Sequence, residues 1–390
     1  MSNNPFANHL IPEEYYNEFT DEEFLNLGIK SEDLMKYRIF NFELKVDLKL
    51  WYEPVKDYTY RTEILNLTNE EVECLLNRMI EIDRHFFDDD KKKSKEFLDL
   101  NNRRDILEGI EKKIDDIIKE KFSENGCFIK TPLRSPKDVP TYSAKKEWLK
   151  DFGKVIDKMK ITNYPEQLLQ YSVAITKALK CTSGSDAMFL LCSSSRVKSD
   201  LRKFLKFPKH QAYLVLREFD DAIVRNPGEE FRGFVYNSKL TALSQYNTFE
   251  IFKETLSKKD YYQKLITEFW EKELKEKIPI KHYVVDFYVT EEKVIMIEVN
   301  PFFMGTGACN FNWAKDYTAL KNGPFQFRMT ETQKYHGQDL VDMYFGNPWR
   351  KLIFQKRQDH QKKVRNQKIF LLIAVLIVIF AILIKVFLVK

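Results

Sequence analysis

The chain has 390 residues, of which 31% are charged and 44% are hydrophobic, so it is long enough for one large or two ordinary folded domains. Its net charge is +5, but residues 349–390 contribute +9, so the rest of the chain is mildly acidic at −4 and we expect no DNA partner. The five cysteines show no CxxC spacing and no histidine at zinc-ligand distance, which excludes the common zinc motifs and predicts free thiols.

The N-terminal part of the sequence combines an extension with one strand and one helix. Residues 1–48 are acidic and aromatic, and they either pack on the main domain or form a separate arm. Residues 58–67 alternate between apolar and polar side chains, which predicts a strand. Thr68 and Glu71 form a capping box, which predicts that a helix begins there and runs through Ile80.

The next part of the sequence alternates charged helices with apolar strands. The charged run at residues 88–93 predicts a solvated loop, and periodic apolar residues from 104 to 122 predict an amphipathic helix. After Gly126, short apolar segments predict strands at 127–130, 188–192, 212–219, 231–237, 239–246, 283–289 and 293–300. A predicted helix at 253–276 interrupts them. Strands that pair through short polar turns, with helices between them, are typical of an α+β fold.

Two carboxylates and one carboxamide share a face of the hairpin predicted at 283–300. Asp286 lies on the first strand, and Glu298 and Asn300 have the same parity on the second strand. Such side chains are costly to bury on an apolar hairpin unless a partner satisfies them. Mg²⁺ prefers carboxylates together with phosphate oxygens and water. The pattern therefore indicates a magnesium site, and a solvent-exposed polar face is the alternative.

Two further segments carry charges suited to a nucleotide. Lys130 ends an apolar strand and can contact phosphate as a point charge, although an ordinary surface lysine is the alternative. Arg217 and Glu218 end another apolar strand, and the next strand opens with Glu230 and Arg232. These two strands can offer backbone groups to a base and charged groups to a ribose or phosphates. Structural ion pairing is the alternative for this second segment.

Motifs for other chemistries are absent from the sequence. The chain has 12 glycines and contains neither GxxxxGK[ST] nor GxGxxG, so a bound nucleotide is not held by a glycine-rich helix N-terminus. It also contains no GxSxG, no HExxH and no paired cysteine and histidine, so hydrolase and zinc-enzyme functions have no support.

The C-terminal residues are strongly apolar in a chain whose mean hydropathy is −0.45. Residues 369–384 are uninterrupted apolar sequence, and the stretch continues to residue 389 with Lys385 as its one charge. About 20 apolar residues in a helix span a bilayer core, so residues 369–389 predict a single-pass tail anchor rather than a buried core helix. Basic residues dominate the preceding linker at 346–368, and by the positive-inside rule they predict that the folded part faces the cytoplasm. The sequence leaves open which organelle carries the membrane.

Four blocks of sequence occur in an order that is specific to one family. They are FIKTPLRSPKD (128–138), ALKCTSGSDAMFLLCSSS (178–195), LVLREF followed by GEEFRGFVYNSKLTALSQYN (214–247), and VVDFYVTEEKVIMIEVNPF (284–302). Through these blocks the chain resembles the cell division cycle protein 123 family, an ATP-grasp family, over roughly residues 50–345. The resemblance implies an α+β ATP-grasp fold, in which two subdomains enclose ATP, for a domain at 49–345.

The resemblance also implies roles for individual residues. Lys130 would contact phosphates, and Arg217 and Glu218 would lie at the hinge against adenine. Three further residues would line the nucleotide cleft: Glu230, Arg232 and Ser244. Three residues would hold Mg²⁺: Asp286, Glu298 and Asn300. The family is implicated in assembling eukaryotic translation initiation factor 2, by binding its gamma subunit so that the alpha subunit can join.

The sequence departs from the family pattern near the expected phosphates and metal. The family usually has Lys-Leu-Asn-Trp-Ser after the phosphate strand, whereas here Lys130 is followed by Thr-Pro-Leu and then Arg134. The asparagine and serine contacts are therefore lost, and Arg134 can replace them with charge. Glu298 stands where the family more often has aspartate, and its longer side chain still reaches a cation. Residues 303–307 replace a more polar run.

Three functions are compatible with these observations. The first, which we prefer, is an ATP-binding assembly chaperone for initiation factor 2 that is tethered to a cytosol-facing membrane. The second is an ATP-grasp ligase that activates a carboxylate or an RNA end with Mg-ATP. The third is a degenerate nucleotide fold kept as a membrane scaffold, which the altered loop at 131–134 favours. The sequence leaves catalytic residues and ATP hydrolysis open.

Overall fold

The computed structural model of the chain describes residues 20–87, 103–123, 125–160, 162–207, 210–291, 293–333 and 336–388. The predicted solvated loop at 88–93 lies outside the described residues.

Strands in the described residues form two sheets. Their bounds are β1 Thr62–Asn66, β2 Cys127–Lys130, β3 Lys180–Cys181, β4 Tyr213–Glu218, β5 Glu230–Tyr236, β6 Lys239–Gln245, β7 Tyr283–Val289, β8 Val294–Pro301 and β9 Gln326–Arg328. The first sheet has the order β1-β4-β2-β3 and is antiparallel. The second has the order β8-β7-β5-β6-β9, in which β9 pairs in parallel with β6. The predicted strands are confirmed, with the exception of the segment at 188–192.

Helices surround both sheets. Their bounds are α1 Asp21–Asn26, α2 Leu34–Glu43, α3 Leu48–Val55, α4 Asn69–Phe87, α5 Arg104–Lys121, α6 Asp138–Tyr142, α7 Lys146–Ile156, α8 Tyr164–Lys177, α9 Gly184–Ser193, α10 Ser195–Lys206, α11 Asp221–Arg225, α12 Lys253–Ser257, α13 Lys259–Phe269, α14 Trp313–Asn322, α15 Gly337–Tyr344 and α16 Asn347–Leu388. The helix predicted at 253–276 is divided into α12, α13 and a π-helical turn at Trp270–Leu274.

The chain divides into two compact units. Unit 1 consists of Met1–Pro140 and Ile175–Lys334 and contains both sheets. Unit 2 consists of Thr141–Ala174 and Tyr335–Lys390 and is helical in its described part. The boundaries predicted at 48, 345 and 368 remain predictions.

Two helices of unit 1 begin and pack as the sequence predicts. The Thr68 amide donates to the Glu71 carboxylate at 2.8 Å, and the Glu71 amide donates to the Thr68 hydroxyl at 3.1 Å, which confirms the capping box of α4. Helix α4 continues past Ile80 to Phe87. Helix α5 buries one apolar face, as predicted for 104–122, through Ile110, Ile114 and Ile118.

The segment at 188–192 was predicted to be a strand, and this prediction is wrong because the segment belongs to helix α9. The Ser183 hydroxyl accepts a hydrogen bond from the Asp186 amide at 3.2 Å, so a capped helix begins just before the apolar run. Gly184 then lies against α5, where a Cβ atom would meet the Glu111 carbonyl oxygen at 2.3 Å. A short buried apolar run has no periodicity that separates strand from helix, and the cap was the decisive signal.

Replacing Ser183 by alanine is expected to lower the free energy of unfolding by about 1 kcal/mol, because the amides of the first turn of α9 lose their acceptor. Denaturant unfolding followed by circular dichroism measures the change. Ser185→Ala is the matched control, since Ser185 is exposed in the same first turn and no capping bond depends on it. Equal losses for the two variants would contradict a capping role for Ser183.

The hairpin of β7 and β8 is antiparallel, as predicted, and it contains a bulge. Asp286 lies directly opposite Glu298, but Phe287 lies opposite Met296, so Ile297 is an extra residue on β8. A bulge bends its strand and leaves a backbone group free of the ladder. The Ile297 carbonyl oxygen accepts a hydrogen bond from the Arg217 side chain on β4, which connects the two sheets at this point.

Unit 2 has an aromatic core on which the C-terminal helix begins. Tyr171 stacks on Phe345 with ring centroids 4.3 Å apart, and Trp349 lies 5.2 Å from Phe152. Trp349 is completely buried, so the first turns of α16 belong to this core. Helix α16 then continues without a break into the apolar C-terminal sequence. By length and composition, Asn347–Ala381 can cross a membrane, and none of its most apolar window is buried.

Candidate phosphate and metal site

A cavity of about 280 Å³ lies where the end of β2 and the following loop meet β8. Five of the predicted site residues line it: Lys130, Arg134, Arg232, Glu298 and Asn300. Strand β2 positions Lys130 from the first sheet, and Arg134 lies in the loop that follows β2. Strand β5 positions Arg232, and strand β8 positions Glu298 and Asn300, from the second sheet. The structure therefore brings together side chains that are far apart in the sequence.

Arg232 and Asp286 form a buried, bidentate ion pair beside this cavity. The Arg232 Nε and Nη2 atoms each donate to an Asp286 carboxylate oxygen at 2.7 Å. The remaining Arg232 nitrogen, Nη1, donates to the Gly307 carbonyl oxygen at 2.7 Å. Arg232 also lies over the ring of Tyr246, at 4.8 Å from its centroid. A planar guanidinium fits a carboxylate in this geometry, so the arginine is held firmly on the second sheet.

Lys130 and Glu298 form the second ion pair of the site. The Lys130 Nζ atom lies 2.8 Å from a Glu298 carboxylate oxygen, across the gap between the two sheets. Asn300 lies between the two carboxylates, because its amide nitrogen is 3.1 Å from Asp286 and 3.4 Å from Glu298. The predicted common face of Asp286, Glu298 and Asn300 is thus confirmed by direct contact.

The carboxyl groups of Asp286 and Glu298 have pKa values shifted in opposite directions. Burial raises the pKa of Asp286, while Arg232 acts in the opposite direction. Burial would also raise the pKa of Glu298, but Lys130 and Lys137 outweigh it and hold that pKa well below its usual range. Glu298 is therefore ionised at neutral pH and is available as an acceptor.

These residues fit a hard divalent cation. The donor set of two carboxylates and one carboxamide offers the oxygen atoms that Mg²⁺ prefers, with phosphate oxygens and water left to complete the coordination. Across the described residues there is no group of three or more His, Cys, Asp or Glu side chains suited to a metal. Any metal here would therefore depend on Asn300 and on the ligand. The carboxylates of Asp286 and Glu298 have lone pairs besides those that accept hydrogen bonds from Arg232 and Lys130, so they can still bind a metal ion.

Arg217 and Glu218 do not join this cavity. They are neighbours on β4, so their side chains point to opposite faces of the sheet. Arg217 is buried and donates to Thr59 Oγ1 at 2.6 Å, and its Nε atom has no hydrogen-bond partner among the described residues. Glu218 accepts from Asn125 at 3.0 Å and lines a separate cavity of about 1080 Å³. Their predicted contact with adenine remains a prediction.

Arg134 and Ser244 have structural partners that occupy their polar atoms. The Arg134 guanidinium donates from Nε to the buried Asp200 at 2.8 Å, so it fixes the loop after β2 although its side chain lines the cavity. The Ser244 hydroxyl is buried and accepts from the Asn310 amide at 3.0 Å. Removing either side chain would therefore disturb the loops around the site, whether or not that side chain also contacts a ligand.

Several cavity residues were missed by the sequence reasoning, and Glu43, Lys137 and Tyr246 are among them. Lys137 belongs to the block at 128–138, but the loop has no periodicity that shows which side chains point inward. The Tyr246 hydroxyl and the carboxylates of Glu298 and Glu230 raise the pKa of Lys137, which is an exposed residue. Lys137 therefore adds a further positive charge to a cavity that Lys130, Arg134 and Arg232 already line.

Glu43 reaches the cavity because the described part of the N-terminal extension packs against the rest of unit 1. Phe42 makes an edge-to-face contact with Phe303, with ring centroids 5.7 Å apart. Glu43 forms an ion pair with Lys203 at 3.1 Å, and Val46 also lines the cavity. Of the two arrangements left open for residues 1–48, the described part from residue 20 onward packs on the main body. No local signal in the sequence indicates these long-range contacts.

Glu230 is expected to make stability fall as pH rises between about 4.5 and 8. Burial raises its pKa from 4.5 to about 8, with Lys137 acting in the opposite direction. In that interval the folded chain keeps a proton that the unfolded chain has lost, so raising the pH favours unfolding. Glu230→Gln should remove at least about 1 kcal/mol of this pH dependence, measured by denaturant unfolding at pH 5.5 and 8. The exposed Glu291→Gln is the control, and an unchanged slope in Glu230→Gln would contradict the assignment.

Comparison with known proteins gives both a family and a fold. The D123 family model matches residues 51–342. The translation initiation factor eIF2 assembly protein of Vanderwaltozyma polyspora is 26% identical over 318 residues, which cover 77% of this chain and 78% of that protein. The protein of the same name from Xenopus laevis is 30% identical over 169 residues, 41% of this chain and about half (48%) of that relative.

A solved structure supports the architecture. The structure of Cdc123 from Schizosaccharomyces pombe aligns with a TM-score of 0.50 and 21% sequence identity, over 75% of this chain and 98% of that chain. At this identity the likeness concerns the fold. It confirms the predicted α+β, ATP-grasp-like fold with two sheets.

Proposed function

Because the chain belongs to the D123 family, we propose that it is an eIF2 assembly factor that binds ATP with Mg²⁺ and is attached to a membrane by its C-terminal helix. The relatives that support the first part are named as eIF2 assembly proteins. The observation that carries the nucleotide part is the cavity in which Lys130 and Arg232 face Glu298 and Asn300.

Lys130 and Arg232 are the residues that would bind phosphate oxygens. Both are cations, and their carboxylate partners are Glu298 for Lys130 and Asp286 for Arg232. Polyphosphate offers each of them a second anionic partner, and Mg²⁺ would supply positive charge to Asp286 and Glu298 in exchange. Asn300 would turn its amide oxygen towards the cation, since its nitrogen faces the carboxylates in the present arrangement.

For assembly, the bound ligand would act by fixing the two sheets relative to each other. Lys130 on β2 and Arg217 on β4 are both bonded to β8, so the first sheet contacts the second through two cations at this edge. A polyanion bound between the sheets would add further bonds to each side. The chain would then hold its client surface in one conformation without consuming ATP.

The proposed client is eIF2, and the proposed point of contact is its gamma subunit. The names of the relatives support eIF2 as the kind of partner. The gamma subunit comes from the family resemblance. A binding measurement with the isolated gamma subunit tests this proposal, and its design closes the Discussion.

The membrane tether predicts that the full chain stays with membranes after alkaline extraction. Replacing Ile373 and Ile377 by lysine should release it, because each charge near the centre of a bilayer costs about 2.5–3.5 kcal/mol. Asn366→Lys with Gln367→Lys adds the same charge before the apolar segment and should leave the chain in the membrane fraction. Release of the unaltered chain would contradict the tether.

An ATP-grasp ligase is the second candidate function. It is favoured because the cations Lys130 and Arg232 share one cavity with the oxygen-bearing side chains of Glu298 and Asn300. Phosphoryl transfer needs positive charge around the transferred group. Client-dependent release of ADP or AMP would support it, and no release with any plausible acceptor would exclude it. A scaffold without nucleotide is the remaining alternative, and Mg²⁺-dependent ATP binding that is lost in Asp286→Ala would exclude that.

A further inference from the structure

In unit 2, helices α7, α8 and α15 each have one end at the same level along α16. Helix α7 runs in the direction of α16, because Phe152 packs on Trp349 while Asp157, after its last turn, pairs with Lys356. Gly153 permits this packing, since a Cβ atom there would lie 3.3 Å from the Lys356 side chain. The carboxyl end of α7 is therefore the end nearer to the apolar segment.

Helices α8 and α15 run in the opposite direction and begin at that level. Arg357 lies 4.4 Å from the ring centroid of Tyr164, the first residue of α8, and donates to Gln167 at 3.0 Å. Further along α8, Tyr171 accepts from the Gly346 amide at 3.0 Å. The Arg357 guanidinium also donates to Gln338 in the first turn of α15. The connection between α7 and α8 thus forms the tip of unit 2 that points along α16 towards residue 369.

The tip and the exposed part of α16 together carry unpaired positive charge. We define this surface, the basic collar, by five exposed residues: Lys158, Lys160, Lys362, Lys363 and Arg365. None of them has an ion-pair partner among the residues that the structure describes. Asp157 at the tip is neutralised by Lys356, which leaves Asp359 as the acid on this stretch of α16.

The distance from the tip to the apolar segment matches the reach of a charged lipid surface. From Arg357 to Ile369 the helix rises by about 18 Å at 1.5 Å per residue. The headgroup layer takes up several ångströms of this distance, and the Debye length is about 8 Å at physiological salt. Lysine side chains at the tip then lie within electrostatic range of the headgroups, and a tilt of the helix brings them closer.

From this arrangement we infer that the basic collar is a second membrane contact, which holds unit 2 with the α7–α8 tip against negatively charged lipid headgroups. The inference rests on the proposed tether. In this arrangement α16 is a continuous, rigid helix, and unit 2 keeps the same side turned towards the lipid. Each lysine or arginine near an anionic surface is attracted to it, so all five residues favour this side of unit 2.

Quenching of two labels by lipid tests the inference in the full chain. A fluorophore is attached at Lys160→Cys in the tip or at Lys146→Cys at the opposite end of α7, and the chain is reconstituted in phosphatidylcholine vesicles that carry a headgroup nitroxide. We expect at least about twofold stronger quenching at position 160, a further increase with phosphatidylserine, and a loss of that increase at high salt.

Charge-reversal variants supply the control. Lys158→Glu together with the reversal of Lys362 and Lys363 should abolish the gain from phosphatidylserine at position 160, whereas Lys146→Glu with Lys150→Glu should not. A chain that floats with the vesicles but quenches both labels equally overturns the inference and leaves the tether intact. A chain that does not float with the vesicles overturns the tether and the inference together.

Discussion

Replacing Asp286 by alanine is expected to lower the free energy of unfolding by about 3–5 kcal/mol, because Arg232 would stay buried without its carboxylate. Both residues are almost fully buried, and two bonds of 2.7 Å join them. The Gly307 carbonyl would be the main polar partner left to the guanidinium. Denaturant unfolding of the full chain in detergent measures the change.

The double variant Asp286→Ala with Arg232→Met separates the buried charge from the loss of packing. Its stability should recover part of the loss, since removing both members of a buried pair leaves no charge uncompensated. Asp151→Ala removes one member of the exposed pair between Asp151 and Lys154 and should leave stability nearly unchanged. A loss of similar size in the double and single variants would contradict the proposed role of the pair.

Replacing Lys130 by methionine is expected to weaken Mg-ATP binding by about 10- to 100-fold. A hydrogen bond to a charged group contributes about 1.5–3 kcal/mol, and methionine keeps the length of the side chain while it removes the charge. Lys130 already reaches across to Glu298 on the opposite sheet, so it is positioned at the place where phosphates would lie. Isothermal titration calorimetry with Mg-ATP measures the affinity of the two proteins.

Lys180→Met is the matched control for Lys130→Met. Lys180 lies on β3 of the same sheet and pairs with Asp221 at 3.0 Å, outside the cavity. Mg-ATP affinity should therefore be unchanged in the control. Equal affinity of the unaltered chain and Lys130→Met, with both proteins folded, would contradict a phosphate-binding role for Lys130.

The part of the site that lies on paired strands could be predicted from the sequence. Alternation along a strand fixes which side chains share a face, so the contact of Asp286, Glu298 and Asn300 follows from residue parity once the hairpin is recognised. The same rule shows why Arg217 and Glu218 diverge, because consecutive residues on a strand point to opposite faces of the sheet.

The part of the site that depends on long-range packing could not be predicted from the sequence. The bulge at Ile297, which supplies a carbonyl oxygen to Arg217, leaves no mark in the pattern of residues. The contact of Phe42 with Phe303 joins a segment outside the family match to the rim of the cavity. The pairing of Arg134 with the buried Asp200 also depends on a distant helix. The sequence alone therefore predicted only a ligand contact for the charge of Arg134 and missed this pairing.

The most direct test of the central claim is calorimetric binding of the full chain, held in a detergent micelle or nanodisc, to purified eIF2 gamma subunit with and without Mg-ATP. The proposed function predicts saturable binding that Mg-ATP strengthens, and a loss of this strengthening in Lys130→Met. Absence of binding in both conditions, with a chain that still binds Mg-ATP, would contradict eIF2 assembly as the function and would favour a different client or a ligase activity.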